Sequence, residues 1–431
     1  MTLDVGKLPT GFGRLWTAQT VSSLGDGVSH AALPLLALTL TRDPMALAVV
    51  TAAGTLPWLL FGVLGGALVD RWDRRRTMWV TDAARAVLLA IPAAAAALDM
   101  LSIALLATVA FLLGLGGLFF DTAATAYLPD LLGRDPARLE RANSRLRGAQ
   151  TAMSGFAGPP AGSALLALGR AVPLLADAVS FTLSALLVRS LPALPRPVPE
   201  MRESLLVQAR AGASYVFRDR LLLGLALRPA VGNIAFLAVE TVLALFAHDH
   251  LGIDTYGFGL LLTAEATGGL LGAGIASSLG RRLGTGTALT CTAAVEGLAI
   301  LGLAAAPNPY MAGLALAVCG AGMGATMVLA PSLRQAIVPT HLMGRVASTS
   351  RMLAMCAAPL GAVLGGWLAT AYTIRTPLYA AAGLLLTMTA VTATMTSNRQ
   401  VEAALRAAAP VAGADHRASK EHAQESAPDA P

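Results

Sequence analysis

Residues 21–40 read VSSLGDGVSHAALPLLALTL and form the first long apolar stretch of a 431-residue chain. A helix rises 1.5 Å per residue, so about 20 residues cross the roughly 30 Å of hydrocarbon in a bilayer. The same stretch contains Asp26 and His30. Because a carboxylate at mid-bilayer depth costs about 3 kcal/mol on insertion scales, Asp26 requires surroundings other than lipid.

The composition of the whole chain agrees with a membrane protein. Hydrophobic residues make up 55% and charged residues only 13%, which is more apolar than a typical soluble domain. Further apolar stretches of similar length predict twelve transmembrane helices. The predicted spans are 13–40, 45–69, 77–98, 101–128, 141–168, 171–190, 220–247, 256–279, 286–306, 309–331, 343–370 and 373–397. The start of the chain lacks the pattern of a cleavable signal peptide, so we expect the first span to be retained.

Basic residues are distributed unevenly between the predicted connections. Of 31 Lys and Arg residues, Arg85 and Arg228 lie inside spans and Arg42, Arg170 and Arg375 lie in one set of alternate connections, which leaves 26 in the other set and the two ends. The positive-inside rule predicts that both termini are cytoplasmic in a multi-pass protein of the cell membrane. The basic residues do not form a patch with aromatic residues, so we expect no nucleic-acid partner.

The chain contains an internal repeat. Residues 22–40 align with PAVGNIAFLAVETVLALFA at 229–247, which places Asp26 on Asn233 at a shift of 207 residues (233 − 26). Repeats in the same orientation predict two similar six-helix bundles related by an axis along the membrane normal. The fold class is therefore an all-α membrane protein.

Two polar segments lie outside the predicted spans. Residues 191–219 are Pro-rich and then charged, and residues 398–431 are polar and rich in Ala and Pro. We interpret the first as a cytoplasmic linker and the second as a disordered cytoplasmic tail. The predicted organisation is an N-terminal bundle at 1–190, the linker, and a C-terminal bundle at 220–397 before the tail.

The connection after the second span carries a resemblance to a known family. GGALVDRWDRRR at 65–76 is similar to the signature of major facilitator superfamily transporters, which has a glycine, small residues, an aspartate and a basic run between helices 2 and 3. This chain has Asp73 where the family usually has a glycine. The resemblance covers about residues 10–397 and implies the major facilitator fold, in which two pseudo-symmetric six-helix bundles rock about a central site.

The resemblance also implies a conformational latch on the cytoplasmic side. Asp70 is expected to meet the start of helix 11 near Arg345, and Asp121 is expected to join the arginine cluster at 71–75. An anion at a helix N-terminus gains about 0.3–1 kcal/mol, so rocking can break such a contact. The residues assigned to the latch are Gly66, Asp70, Arg71, Arg74, Arg75, Asp121 and Arg345.

A second stretch narrows the resemblance to the group that contains macrolide and enterobactin exporters. Members have a Leu-Pro pair after the fourth helix and a Gly-Pro pattern in the fifth. This chain has Gly158, Pro159 and Gly162 in the fifth span, with Ser163 in place of the last glycine. The Gly-Pro pattern is associated with drug exporters, so the resemblance favours efflux.

Polar residues in the first span recur at spacings of three and four, which places them on one helix face. A polar face is too costly to expose to lipid, so we expect it to line a water-filled cavity. Asn233 and Glu240 share a face of the seventh span, and Glu265 in the eighth span can join them. The predicted substrate and proton cavity consists of Gln19, Ser23, Asp26, His30, Asn233, Glu240 and Glu265.

Asp26 is therefore predicted to bind a cationic substrate, a proton, or each in turn. A carboxyl that is alternately desolvated and hydrated can bind and release a proton, and His30 can relay it. The structural alternative is that Asp26 only bonds a neighbouring helix. The resemblance to major facilitator transporters implies that helices 3, 6, 9 and 12 lie outside the cavity. We therefore expect Asp82 to pair with Arg85, and Asp177 to cap a helix or pair locally near the outer surface.

Two further charges inside the spans have different expectations. Arg228 lies close to a helix end, so we expect its side chain to extend to the interface, although it can also bind an anionic substrate. Glu296 has no sequence-based account. The three cysteines lie in apolar spans without metal-ligand spacing, so we expect core positions, no metal and no cofactor.

The sequence therefore predicts a secondary transporter rather than an enzyme. We expect proton-coupled efflux of small amphipathic molecules such as drugs, siderophores or secondary metabolites, by a monomer in the lipid bilayer. Import of a metabolite on the same fold is one alternative. A lipid-acting membrane enzyme is another, because His248, Asp249 and His250 in an outer connection could bind a metal.

Overall fold

A computed structural model describes residues 9–69, 72–133, 135–194 and 213–408. These residues are helical apart from short connections. The helices are α1 (Thr10–Leu40), α2 (Pro44–Val69), α3 (Arg74–Ala97), α4 (Ile103–Leu132), α5 (Pro136–Gln150), α6 (Gly158–Leu168), α7 (Val172–Arg189), α8 (213–218), α9 (Arg220–Asp249), α10 (Thr255–Leu283), α11 (Thr285–Ala304), α12 (Pro309–Ile337), α13 (Thr340–Ala371), α14 (Thr376–Met395) and α15 (Asn398–Ala408). A π-helical turn, Thr151–Ala157, joins α5 to α6.

Side-chain caps fix several helix starts. Asp73, Ser102, Asp219 and Asn308 each accept a hydrogen bond from a backbone N–H in the first turn of the helix that follows. The backbone N–H groups of the first turn have no acceptor within the helix, so a polar side chain at the cap accepts a hydrogen bond from one of them. The caps explain why long apolar helices begin at defined residues between very short connections.

The helices pack in the same pattern in the two halves of the chain. In the first half, α1 contacts α6 and α7, α3 contacts α4 and α7, and α2 contacts α4. In the second half, α9 contacts α13 and α14, α11 contacts α12 and α14, and α10 contacts α12. Each contact recurs one repeat later, so the fold consists of two pseudo-symmetric six-helix bundles. The halves meet where α2 packs on α13 and α6 packs on α10.

Ten helices of the described residues are long and apolar enough to cross a membrane. The first and fifth predicted spans correspond to α1 and to the α5–α6 run, which are not among these ten. Every predicted span overlaps one of the observed helices, so the predicted order of helices is confirmed. Large apolar side chains such as Val87, Leu186, Leu271 and Ile275 are exposed on helix surfaces, which suits contact with lipid tails.

Two parts of the predicted organisation differ from the structure or lie outside it. Asn398–Ala408, predicted as part of a disordered tail, forms the helix α15 and packs on α11 and α12. Its Val401 is buried among their side chains, and Asn398 donates a hydrogen bond to the carbonyl of Leu283. This apolar anchor was not apparent in an otherwise polar segment. Most of the linker and the end of the tail lie outside the described residues.

Candidate transport site

Arg85 is the centre of a charged cluster in the first half. Its Nη2 lies 3.2 Å from Oδ1 of Asp26, and its Nη1 lies 3.7 Å from Oδ1 of Asp82. The guanidinium also lies 4.0 Å from the centre of the Phe181 ring. The predicted pairing of Asp82 with Arg85 is therefore present, but Asp26 is the closer partner. Asp26 is 46% exposed, whereas Asp82 is fully buried.

Serine hydroxyls bind the two deeper carboxylates of this half. Ser184 donates a 2.6 Å hydrogen bond to Asp82, and Ser29 donates to Asp177. Asp177 is 1% exposed and lies in the bundle interior. Asp177 is therefore an interior residue and not a residue of the outer surface, but the expected local pairing is present, because Ser180 donates a 3.1 Å hydrogen bond to its carboxylate. Gly25 allows this contact between α1 and α7, because a Cβ there would lie 2.2 Å from the Asp177 carboxylate.

Asp121 lies in a different environment from the one expected for a latch residue. Among the described residues, the charges that act on it are Arg85, Asp26 and Arg351, and neither Arg74 nor Arg75 is one of them. Arg351 comes from α13 in the second half, and its guanidinium lies 5.0 Å from the centre of the Trp58 ring on α2. Asp121 therefore faces the interior between the halves. The reason is its position in the middle of α4, well before the terminal turn.

The other latch residues that the structure describes lie near the ends of α2, α3 and α13. Arg74 donates a 2.9 Å hydrogen bond to the carbonyl of Ala126 and contacts Asp130, and Arg75 contacts the carbonyl of Arg189. These contacts join the helix ends of the first half. Gly66 lies within α2 and Arg345 within α13, whereas Asp70 and Arg71 lie outside the described residues.

A contact between the halves joins two of the predicted cavity residues. His30 Nε2 on α1 lies 3.2 Å from Oε1 of Glu240 on α9, and the histidine side chain is 49% exposed. Gln19 and Ser23 lie on the same helix as His30, and Ser23 is buried. The prediction that the first and seventh spans face each other is consistent with this contact.

A cavity opens within the second half, and its empty space, including the part that is open to solvent, is about 890 Å³. It lies among α9, α10, α11, α12 and α14 and is mainly apolar. Three of the predicted cavity residues line it, namely Asn233, Glu240 and Glu265. Asn233 donates a 2.8 Å hydrogen bond to the carbonyl of Ala354, which joins α9 to α13. Gln19, Ser23, Asp26 and His30 are not among its lining residues.

The cavity wall also contains the charges of Arg228, for which the sequence left a substrate role as the alternative, and of Glu296, for which it gave no account. Arg228 donates a 3.3 Å hydrogen bond to Thr292, and the hydroxyl of Thr326 lies 3.0 Å from both Thr292 Oγ1 and Glu296 Oε1. Arg228 is only 8% exposed, so the expectation that its side chain extends to the interface is wrong. Thr292 and Glu296 lie four residues apart on α11, and this spacing was the signal for a polar face.

The Gly-Pro pattern of the fifth span fits between the two halves. A Cβ at Gly158 would lie 2.5 Å from the Cα of Gly27, and one at Gly162 would lie 2.3 Å from the carbonyl oxygen of Val28. On the opposite side, a Cβ at Gly259 would lie 2.7 Å from the carbonyl oxygen of Pro159. The pattern therefore allows α6 to pack tightly on α1 and on α10. The π-helical turn directly precedes this contact, and such turns are frequent at functional sites.

The connections after α1 and α9 meet on one face of the bundle, which we call the far face. Arg42 Nη1 lies 2.6 Å from Oδ1 of Asp249, and His248 Nδ1 lies 2.9 Å from the same oxygen. His250 contacts Arg375. Arg42 and Asp249 are 207 residues apart, so they occupy equivalent positions in the two repeats. Within the described residues, no group of three His, Cys, Asp or Glu side chains could hold a metal ion.

Two pseudo-symmetric helix bundles with charges buried between apolar helices define a secondary transporter of the major facilitator fold. The chain matches the transmembrane secretion effector family over residues 9–421 and belongs to that family. It is therefore a multi-pass membrane transporter.

Named relatives and solved structures agree with this assignment. The chain is 29% identical to the multidrug efflux pump Tap of Mycolicibacterium fortuitum over 365 residues, which cover 82% of this chain and 88% of the relative. It is 30% identical to the pump of the same name from Mycobacterium tuberculosis over 387 residues, which cover 86% and 88%. A bacterial homologue of the iron transporter ferroportin, solved in an inward-facing state, has the same fold, with a TM-score of 0.72, 17% identity and coverage of 90% and 98%.

Proposed function

We propose that this protein exports small amphipathic organic molecules in exchange for protons by alternating access. The observation that carries the proposal is the Asp26–Arg85–Asp82 cluster, which places two carboxylates on one guanidinium inside a membrane bundle. The names of the relatives, multidrug efflux pumps, support the outward direction.

The cluster has the chemistry of a proton site. Two carboxylates against one guanidinium leave an excess negative charge, which a low-dielectric interior disfavours. A proton on one carboxyl removes this excess. Asp26 is the partly exposed member, so it is the carboxyl that exchanges its proton with water. Loss of its charge weakens the contact with Arg85, which then interacts mainly with Asp82.

Contacts between the halves connect this chemistry to rocking. His30 reaches Glu240 across the interface, and Arg42 reaches Asp249 at the far face. Both contacts join one bundle to the other, so rocking must break or remake them. In this proposal the far face is extracellular and both termini are cytoplasmic, as the basic residues predict. The cycle involves substrate, protons and one chain in the bilayer.

The test is transport by Asp26→Asn in reconstituted vesicles under an imposed pH gradient. Ethidium serves as the fluorescent amphipathic probe, and a trapped pH dye reports proton movement. We expect both signals to fall at least tenfold, because the asparagine cannot release a proton. Asp99→Asn is the matched control, since Asp99 is exposed and contacts only the exposed Arg170 at 3.5 Å among the described residues.

Two outcomes contradict parts of the proposal. Proton movement that persists at the normal rate in Asp26→Asn removes Asp26 as the coupling group. In cells that lack their own pumps, expression should lower ethidium accumulation, and an uncoupler should restore it. Increased accumulation on expression would instead indicate import.

A further inference from the structure

The cavity of the second half is separate from the Asp26 cluster. Its lining residues all lie on α9, α10, α11, α12 and α14, and none comes from the first bundle. This cavity therefore has charges of its own, apart from the Asp26 cluster.

Most polar groups that line this cavity already have a protein partner. Glu240 is bound by His30, Asn233 by the carbonyl of Ala354, and Arg228 and Glu296 by the threonine hydroxyls between them. Glu265 differs. In the described part of the chain, no hydrogen-bond donor or cation contacts its carboxylate. Glu265 is therefore the cavity carboxylate that remains available to a ligand.

The charges of the lining favour a cation. Glu240, Glu265 and Glu296 are three carboxylates, whereas Arg228 is the one arginine among the lining residues. Arg228 and Glu296 face the same pair of threonines and offset each other, and His30 contacts Glu240. Among the described residues, the carboxylate of Glu265 is left without an opposite charge in contact. Carboxylates in a binding site repel anionic ligands and attract cationic ligands.

The remaining surface of the cavity suits an apolar body of variable shape. Phe236, Ile300, Leu316 and Leu385 contribute rigid apolar walls, and Met323 contributes a flexible side chain. Methionine adapts to ligands of different outline because its side chain is unbranched and polarisable. A cationic group at Glu265 and an apolar body along this wall satisfy both features.

We infer that this cavity is the substrate site, that its ligands are amphipathic organic cations, and that Glu265 is the residue that contacts their charge. The inference rests on the proposed export function but locates substrate and proton on different bundles. The Asp26 cluster carries the proton, and the cavity of the second half carries the substrate. His30 and Glu240 then connect the two sites.

The experiment uses two probes of nearly equal size and opposite charge, tetraphenylphosphonium and tetraphenylborate. Binding to the purified full chain in detergent is measured by isothermal titration calorimetry without any gradient. We expect the unmodified protein to bind the cation at least tenfold more tightly than the anion. Glu265→Gln should weaken cation binding at least tenfold and leave anion binding unchanged, and Glu265→Asp should restore part of the loss.

The matched control is Glu402→Gln, because Glu402 lies on the exposed face of α15 and contacts Arg406 at 3.5 Å. It should bind both probes as the unmodified protein does. Thermal unfolding of each variant separates lost binding from lost folding. If Glu265→Gln fails to fold, Glu265→Asp, which retains the negative charge, is compared with the unmodified protein in its place. The inference is overturned if the unmodified protein does not bind the cation, or if Glu265→Gln binds it normally.

The outcome is independent of proton coupling. Asp26→Asn should bind tetraphenylphosphonium normally while it fails to move protons. If binding depends on Glu265 but protons still move in Asp26→Asn, only the proposed coupling fails. If proton coupling depends on Asp26 but tetraphenylphosphonium binding does not depend on Glu265, only the assignment of the substrate site is contradicted.

Discussion

The two bundles share one packing plan but have different polar interiors. Asp26 and Asn233 occupy equivalent positions, yet Asp26 pairs with Arg85 on α3 whereas Asn233 bonds the backbone of α13. The same shift of 207 residues, which separates Arg42 from Asp249, places Arg85 on Thr292. The first bundle fills this position with a guanidinium, and the second leaves a cavity beside a hydroxyl. Similar helices therefore hold a charge cluster in one half and a pocket in the other.

The largest difference between the halves should follow from loss of their buried arginines. Arg85→Met leaves Asp26 and Asp82 without their cation, and breaking a buried pair costs about 3–5 kcal/mol. Arg228→Met removes the charge that offsets Glu296, but Thr326 still donates a hydrogen bond to that carboxylate and Thr292 keeps other partners, so we expect a smaller loss of about 1–3 kcal/mol. Denaturant unfolding in detergent measures both free energies, and equal losses would show that the two arginines serve the same role.

Glycine packing should also affect the second bundle strongly. A Cβ at Gly272 would lie 1.9 Å from the carbonyl oxygen of Ala321, whereas one at Gly274 would meet no atom within 4 Å. Gly272→Ala forces α10 away from α12 and should cost about 1–3 kcal/mol in the free energy of unfolding. Gly274→Ala is the matched control and should be neutral or slightly stabilising. The same denaturant titration checks both, and similar values for the two would contradict the close helix contact.

Reciprocal exchanges at the equivalent positions sharpen the comparison. Asn233→Asp places a carboxylate oxygen against the carbonyl that the Asn233 amide now contacts at 2.8 Å, and an unsatisfied carbonyl costs about 1–3 kcal/mol. Asp26→Asn keeps Asp82 beside Arg85 and removes a partly exposed charge, so its cost should stay below about 1 kcal/mol. Unfolding in detergent compares the two, and the reverse order would show that Asp26 is structural.

The smallest effect is expected at the far face. Arg42 and Asp249 are partly exposed, so the pair should contribute about 0.2–1 kcal/mol. Arg42→Asp should lose this amount, and the double exchange with Asp249→Arg should recover most of it. Thermal midpoints of the four proteins give the coupling energy. A coupling energy of zero would exclude this contact as a link between the bundles.

The sequence predicted the helices well because membrane thickness limits their length. The first span, predicted at 13–40, is observed as Thr10–Leu40, and the spans continue in the predicted order. The repeat likewise predicted two similar bundles. These features depend on local composition and on comparison of the chain with itself, both of which are visible without knowledge of packing.

The partners of the buried charges could not be predicted in the same way. Arg85 was correctly paired with Asp82 because the two lie three residues apart, whereas its closer partner Asp26 comes from another helix. Arg228 near a helix end looked like an interfacial residue, but the hydroxyl of Thr292 from α11 holds it inside. Such pairs depend on how helices rotate against each other, which periodicity alone does not determine.

The π-helical turn Thr151–Ala157 has a consequence for how this chain aligns with its relatives. Such a turn accommodates one more residue than an α-helix of the same length, while the segments on either side keep their orientation. Each residue of an α-helix turns the chain by about 100°, so a deletion elsewhere in the helix would rotate Gly158 and Gly162 away from α1. Within this turn, one residue can be lost and the glycines still reach their neighbours. Homologues that differ in length by a single residue should therefore show their gap here.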